Sequence, residues 1–252
     1  MMFRLCCGVL AGATLPVLAQ PFVSTFDDSI EGWGVVTRTI PTGSFGLVGT
    51  FTPDLIDVGG ANPYLSEVDP DGFWSFFSAP AAWLGDRSAL LGTQLRYRTR
   101  TDTINFPDGR LVVLGNSGGE RISADLGVPP VNTWMRRSVT LDEGPWFIGA
   151  NGMGTPATRS EVEAVLGDLG ELFIGLEFGS DTAEERVDLD DVVFGVCAAD
   201  LVAPFGTLDV FDVIEYLGLF DAQDPAADLA APAGVFDFFD VVEYLAAFDA
   251  GC

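Results

Sequence analysis

Gln94-Leu95-Arg96-Tyr97-Arg98-Thr99-Arg100 sets Leu95, Tyr97 and Thr99 against four long polar side chains at every second position, and a period of two is that of a half-buried β-strand. Leu172, Ile174, Leu176 and Phe178 repeat the pattern. Around these runs, short apolar segments are separated by Gly, Pro, Asn and Asp, the punctuation of an antiparallel, mostly β domain over residues 20–196. One segment departs from it. Thr158-Arg159-Ser160-Glu161 has capping-box spacing, and Val162, Val165, Leu166 and Leu169 follow on one helical face. One short helix is therefore expected to cover an end or a face of the sheets.

From residue 197 the pattern changes. Asp200–Asp224 repeats as Asp228–Cys252 at a period of 28, with 15 of 25 positions identical, which is an internal duplication. Each copy runs from Asp-Leu through a Pro-and-Gly loop to Asp-x-x-Asp and then an apolar stripe at helical spacing. The stripes are Val213, Ile214, Leu217, Phe220 and Val241, Val242, Leu245, Phe248. Neither helix can bury its stripe alone, so the two are expected to pack as a pair, a small C-terminal α module over 197–252.

The first nineteen residues carry one positive charge, Arg4, then an apolar run ending Val17-Leu18-Ala19, the form of a cleaved export signal. Cys6 and Cys7 would leave with it. Cys197 and Cys252 then remain as a pair in an oxidising compartment, expected to close the tail as a disulfide, with a thiol at Cys252 for covalent attachment as the other reading. No stretch approaches the roughly 18 apolar residues of a membrane span. The net charge is −25, all twelve cations are arginine and histidine is absent. Nucleic acid is excluded as a partner because phosphate neutralisation needs clustered cations. Without histidine there is no Ser-His-Asp or Cys-His arrangement, and 37 acids make some carboxylate pair inevitable. The expectation is a protein with no catalytic residues.

The run Trp74-Ser75-Phe76-Phe77-Ser78-Ala79-Pro80, then Trp83-Leu84-Gly85-Asp86, then Gly92-Thr93-Gln94-Leu95-Arg96-Tyr97 resembles the laminin B (domain IV) signature. Phe26–Trp33 and Val187–Val192 resemble the first and last strands of its bacterial members. The resemblance implies a β-sandwich jelly roll, related to carbohydrate-binding and adhesion modules, in a non-enzymatic family. The tail resembles the half EF-hand repeats of bacterial dockerins that end in Gly-Cys. Together these resemblances imply an exported, surface-associated bacterial binding or adhesion protein. Its jelly roll would meet a surface glycan or protein and its tail a docking partner; a purely structural surface or matrix role is the alternative, and a glycoside hydrolase the least favoured.

Calcium is the candidate cofactor. An EF-hand-like loop takes oxygens at positions 1, 3, 5, 7, 9 and 12, with glycine at 6. Asp200, Gly206, Asp209 and Asp212 fit positions 1, 6, 9 and 12 if one residue is inserted, and Asp228, Gly234, Asp237 and Asp240 do the same. Positions 3 and 5 hold Val202 and Pro204, or Ala230 and Pro232, which carry no side-chain oxygen. A second, structural calcium site is expected where first-strand and last-strand carboxylates meet, from Asp27, Asp28, Asp190 and Asp191. For a ligand, Trp146 in the Gly144-Pro145-Trp146 turn is the candidate stacking platform. The row Arg96, Arg98, Arg100 is either a solvated face or a contact for an anion such as the acidic tail.

Overall fold

The alternation in residues 94–100 does form a strand, and its buried side meets a second sheet. The computed structural model describes residues 20–39, 45–57, 62–69, 73–104, 111–176, 178, 185–232 and 234–251. The export segment and Cys252 lie outside the described residues. In chain order the strands are β1 (Phe22–Ser24), β2 (Gly34–Arg38), β3 (Leu47–Phe51), β4 (Asp54–Ile56), β5 (Tyr64–Val68), β6 (Trp74–Ser78), β7 (Gln94–Thr101), β8 (Leu111–Asn116), β9 (Arg121–Asp125), β10 (Met135–Thr140), β11 (Phe147–Ile148), β12 (Leu169–Gly175) and β13 (Arg186–Val196). The helices are α1 (Arg159–Leu166), α2 (Val210–Asp221) and α3 (Phe238–Ala250).

Two antiparallel sheets face each other. One has the order β10-β7-β13-β5-β4, with β1 also on β13; the other runs β11-β9-β8-β12-β6-β2-β3. Between them, alternate residues of every long strand make one core, including Leu95 and Tyr97 of β7, Leu114 of β8, Leu172 and Ile174 of β12 and Phe194 of β13. Each such fully buried side chain contributes about 1.5–3 kcal/mol. Trp83 stacks on Phe194 at 6.2 Å and meets Trp33 edge-on at 5.3 Å. Gly195 sits beside them at φ +95°, where a Cβ would come within 2.6 Å of Leu90, so only glycine lets β13 pass that side chain.

The capping box forms as the spacing requires, with Thr158 and Glu161 bonding reciprocally at the N-terminus of α1. Val162, Val165 and Leu166 are buried. Leu169 is not on this helix. The helix stops at Leu166, and Leu169 opens β12, its N–H donating to Gly85 O at 2.9 Å. Phe26–Trp33 differs from expectation as well. It forms the turn between β1 and β2, where the Glu31 carboxylate gathers the N–H groups of Thr25 and Phe26.

In the tail, α2 and α3 pack through Val213, Tyr216 and Phe220 against Val241, Tyr244 and Phe248. The two tyrosine rings stack at 3.9 Å and 6°. Each hydroxyl reaches the residue just before the other copy: Tyr216 donates to Ala227 O and Tyr244 to Ala199 O. Ile214, Leu217, Val242 and Leu245, expected in the packed stripe, are exposed instead. Tyr216 and Tyr244 occupy the inward face, and each expected stripe is split, half inward and half outward.

Candidate functional site

The arginine row on β7 shows how sandwich and tail are joined. Arg96 is buried and donates to the carbonyls of Cys197, Ala198 and Asp200, at 2.6 Å and 2.9 Å for the first two. Burial pulls its guanidinium down to about 10. Arg136 on β10, the strand beside β7, pairs with Glu215 of α2 at 2.9 Å. Arg98 and Arg100 lie opposite Asp190 and Asp188 on β13. Arg100 holds Asp188 through Nε and Nη2, and Arg98 reaches Asp191 at 3.2 Å. Both guanidinium groups also lie over Trp134. Arg96 is therefore an internal contact, while Arg98 and Arg100 are ion-paired to β13 with about a third of each side chain still exposed, 34% and 29%. Where it meets the tail, Arg96 takes backbone carbonyls and not acidic side chains. A cavity of about 260 Å³ remains at the joint, lined by Arg98, Arg136, Asp191, Leu201, Phe205 and Glu215.

The acidic residues of the two tail loops have matching partners. Asp212 accepts from Leu201 N at 2.7 Å, Val202 N at 3.0 Å and Asp209 N at 2.8 Å. Asp240 accepts from Leu229 N at 2.8 Å, Ala230 N at 2.7 Å and Asp237 N at 2.8 Å. Asp209 and Asp237 cap α2 and α3 by accepting from Phe211 N and Phe239 N. Asp200 and Asp228 accept from Gly206 N and Gly234 N across their loops. Each leaves its Oδ1 buried without a partner among the described residues, and burial pushes Asp200 up to about 6. The N–H groups of Ala230 and Asp237 hold Asp240 below its usual range.

The other calcium candidates do not converge either. Asp27 accepts from the Thr25 hydroxyl at 2.7 Å, while Asp190, fully buried, accepts from Asn62 Nδ2 and Asp191 N. Among the described residues no three Cys, Asp or Glu side chains gather where a metal ion could sit. Cys197 is disulfide-bonded; the expected pairing with Cys252 falls on a residue outside the described ones.

Trp146 is not a platform. It is fully buried, its Nε1–H donating to Thr140 O at 2.7 Å, because the turn that carries it folds into the core that also takes Val162, Val165 and Leu166 of α1. The aromatic surface is on the outward face of the seven-stranded sheet. There Phe76 and Phe173 are packed under Phe45, with Trp74 half-buried beside them. Glu171 is held by Arg38 at 2.9 Å and by Arg121 at 2.8 Å, and both guanidinium groups lie over Phe45. Gly115 stands opposite Glu171 and Arg121, where a Cβ would be 2.8 Å from Glu171 Oε2. A groove of about 500 Å³ opens next to this network, lined by Phe45, Arg121, Ile148, Ala150, Glu161 and Ala164. Its sequence signal was the apolar residues on the supposedly polar side of two strands, Trp74 and Phe76 on one and Phe173 on the other.

These features define a jelly-roll sandwich followed by a duplicated helical tail. Residues 76–202, half of the chain, match the family model Laminin B (Domain IV), and the chain belongs to that family. Among solved structures, the L4b domain of human laminin alpha-2 is similar at a TM-score of 0.52 and 13% identity, over 69% of this chain and 95% of that one. The family 11 carbohydrate-binding module of a cellulosomal cellulase from Clostridium thermocellum is similar at a TM-score of 0.43 and 10% identity, over 70% and 95% of the two chains. An exo-beta-agarase gives a TM-score of 0.42 at 9% identity, over 81% of this chain and 30% of its own. At these identities the likeness concerns the fold alone. No curated protein matches the chain in sequence. Among the described residues no helix is long and apolar enough to cross a membrane.

Proposed function

We propose that the chain is an exported, non-catalytic binding protein of bacterial surfaces, whose laminin-B sandwich is held in place by its C-terminal tail. The observation that carries this reading is the surplus apolar surface of the tail. Val210, Phe211, Ile214 and Leu217 on α2, and Phe238, Phe239, Val242 and Leu245 on α3, are all exposed. Contiguous apolar patches of this kind mark interaction sites. Acidic side chains rim both helices, and the tail carries no base, so the docking partner is a protein surface with an apolar centre and basic margins. Membership in the laminin B family and the leader-like first nineteen residues support an extracellular location. The test is fractionation of native cells carrying the wild-type chain or a Phe211→Asp/Phe238→Asp double variant. Retention of the first with the surface fraction and release of the second into the medium is expected; equal retention of both would refute docking through this face.

The ligand of the sandwich is, on this reading, a glycan met by the outward face of the seven-stranded sheet. What supports it is the placing of Phe45 and Trp74 beside hydrogen-bonding groups fixed by the Arg38–Glu171–Arg121 network, since a sugar presents one apolar face and a rim of hydroxyls to such a surface. A glycan array with the full chain, repeated with Trp74→Ala and Phe45→Ala, is expected to give binding that both substitutions weaken. An array without binding would move the sandwich to the purely structural reading.

A further inference from the structure

We infer that the two tail loops are closed by their own backbone N–H groups in place of a divalent cation, so that the tail is assembled constitutively and not by calcium. In an EF-hand-like loop the carboxylate at position 12 supplies two oxygens to the ion. Here that residue is Asp212 or Asp240, and both oxygens of each are occupied. One takes the N–H groups of the two residues that enter the loop; the other takes the N–H of the helix cap. The cap residues Asp209 and Asp237, at position 9, each commit Oδ1 to the first turn of α2 or α3. At position 1, Asp200 and Asp228 each hold the glycine N–H across the loop with one oxygen. The same six carboxylates have the same partners in both copies, so the pattern belongs to the loop design and not to one accident of packing.

Among the buried side-chain oxygens of the two loops, Oδ1 of Asp200 and Oδ1 of Asp228 have no partner among the described residues. With one such oxygen per loop, and at most the second oxygen of the cap aspartate beside it, the side chains fall short of the roughly six to eight oxygens that calcium takes. The side chains at positions 3 and 5, Val202 and Pro204 or Ala230 and Pro232, add none. In the first loop the Asp200 carbonyl is already taken by Arg96, whose buried positive charge opposes a second cation beside it. The donors therefore do not fit calcium, and what closes each loop is a ring of N–H groups around a carboxylate.

The experiment is calorimetric titration of the full mature chain with calcium chloride, paired with thermal melting in chelator and in about 5 mM calcium, concentrations well above the sensor range on the order of 10⁻⁷–10⁻⁵ M. The expected result is no saturable heat and a tail melting temperature that agrees within ~1 °C between the two conditions. Asp240→Asn, which sets an amide donor against N–H donors, is expected to lower the melting temperature equally in both. Saturable binding of one or two ions with a melting rise that Asp200→Asn/Asp228→Asn abolishes would overturn the inference. A rise that survives that double variant places the ion elsewhere and leaves the loops metal-free. The cell-retention test of docking is independent, because a calcium-dependent tail could still dock through its exposed helix faces.

Discussion

Arg96→Met keeps most of the apolar stem of a buried side chain and removes its guanidinium from three carbonyls. Bonds to a charged donor contribute about 1.5–3 kcal/mol each, which gives a sum of roughly 4.5–9 kcal/mol for Cys197, Ala198 and Asp200. The three share one buried group, however. Its fall to about 10 records desolvation that, at about 1.4 kcal/mol per tenfold, opposes the charged form by roughly 3 kcal/mol. The lower end, about 4.5 kcal/mol, is therefore the expected loss, and it falls on the joint and not on the sandwich core, whose side of β7 is Leu95, Tyr97 and Thr99. The assay is limited proteolysis read on reducing gels, with a thermal scan of the near-ultraviolet tyrosine signal. Cleavage should appear between residues 198 and 208, and the tail should melt ahead of a sandwich that keeps its wild-type transition. A single unchanged transition with no new cleavage would refute the pinning role; a sandwich that melts early would place Arg96 in the core instead.

Acidification is expected to stabilise the protein over part of its range. Burial raises Glu67 and Glu185 to about 7 and Asp190 and Asp200 to about 6, against roughly 4 in the unfolded chain. The folded state binds more protons between these values, so stability rises as pH falls from about 7.5 to about 5. Asp240 acts the other way, its lowered value costing stability only below the ordinary carboxylate range; melting temperature against pH should therefore peak near pH 5, and a maximum at pH 8 would contradict these shifts. Gly115→Ala should cost about 1–3 kcal/mol by urea unfolding, because its Cβ displaces Glu171 from Arg121, and no loss would show that the carboxylate moves aside freely. Tyr244→Phe should cost about 1 kcal/mol in the tail transition through the lost bond to Ala199 O. Phe211→Asp/Phe238→Asp should leave melting unchanged, since both rings are exposed; a large drop would mean that these rings pack within the chain.

Much of the sandwich was legible because period two is local information. The alternation at Leu95, Tyr97 and Thr99, the capping box at Thr158, and the aromatic run before Pro80 all appear where local pattern places them. What local pattern could not say was what covers the other side of a strand. Arg96 looks like its neighbours Arg98 and Arg100, and only the return of residues 197–200 across β7 buries it. Trp146 sits in a turn that suggests exposure, yet the turn folds inward. Helical spacing identified both tail stripes but not their rotation, since Val213, Ile214, Leu217 and Phe220 are equally apolar. Tyr216, outside the expected stripe, takes the centre.

The exchange of tyrosine hydroxyls has a consequence for how the duplicated tail can change over time. Each copy carries the lid for the other's entrance, so a chain with a single copy would have a phenol without an acceptor and a carbonyl without a donor. The stacked pair Tyr216 and Tyr244 is the same in both copies, whereas some exposed positions have parted, Val210 from Phe238 and Ile214 from Val242. A substitution at the shared seam is felt by both halves at once and must be answered in both. The outer faces are under no such bond, which leaves one shared tyrosine pair free to carry two surfaces that specialise separately.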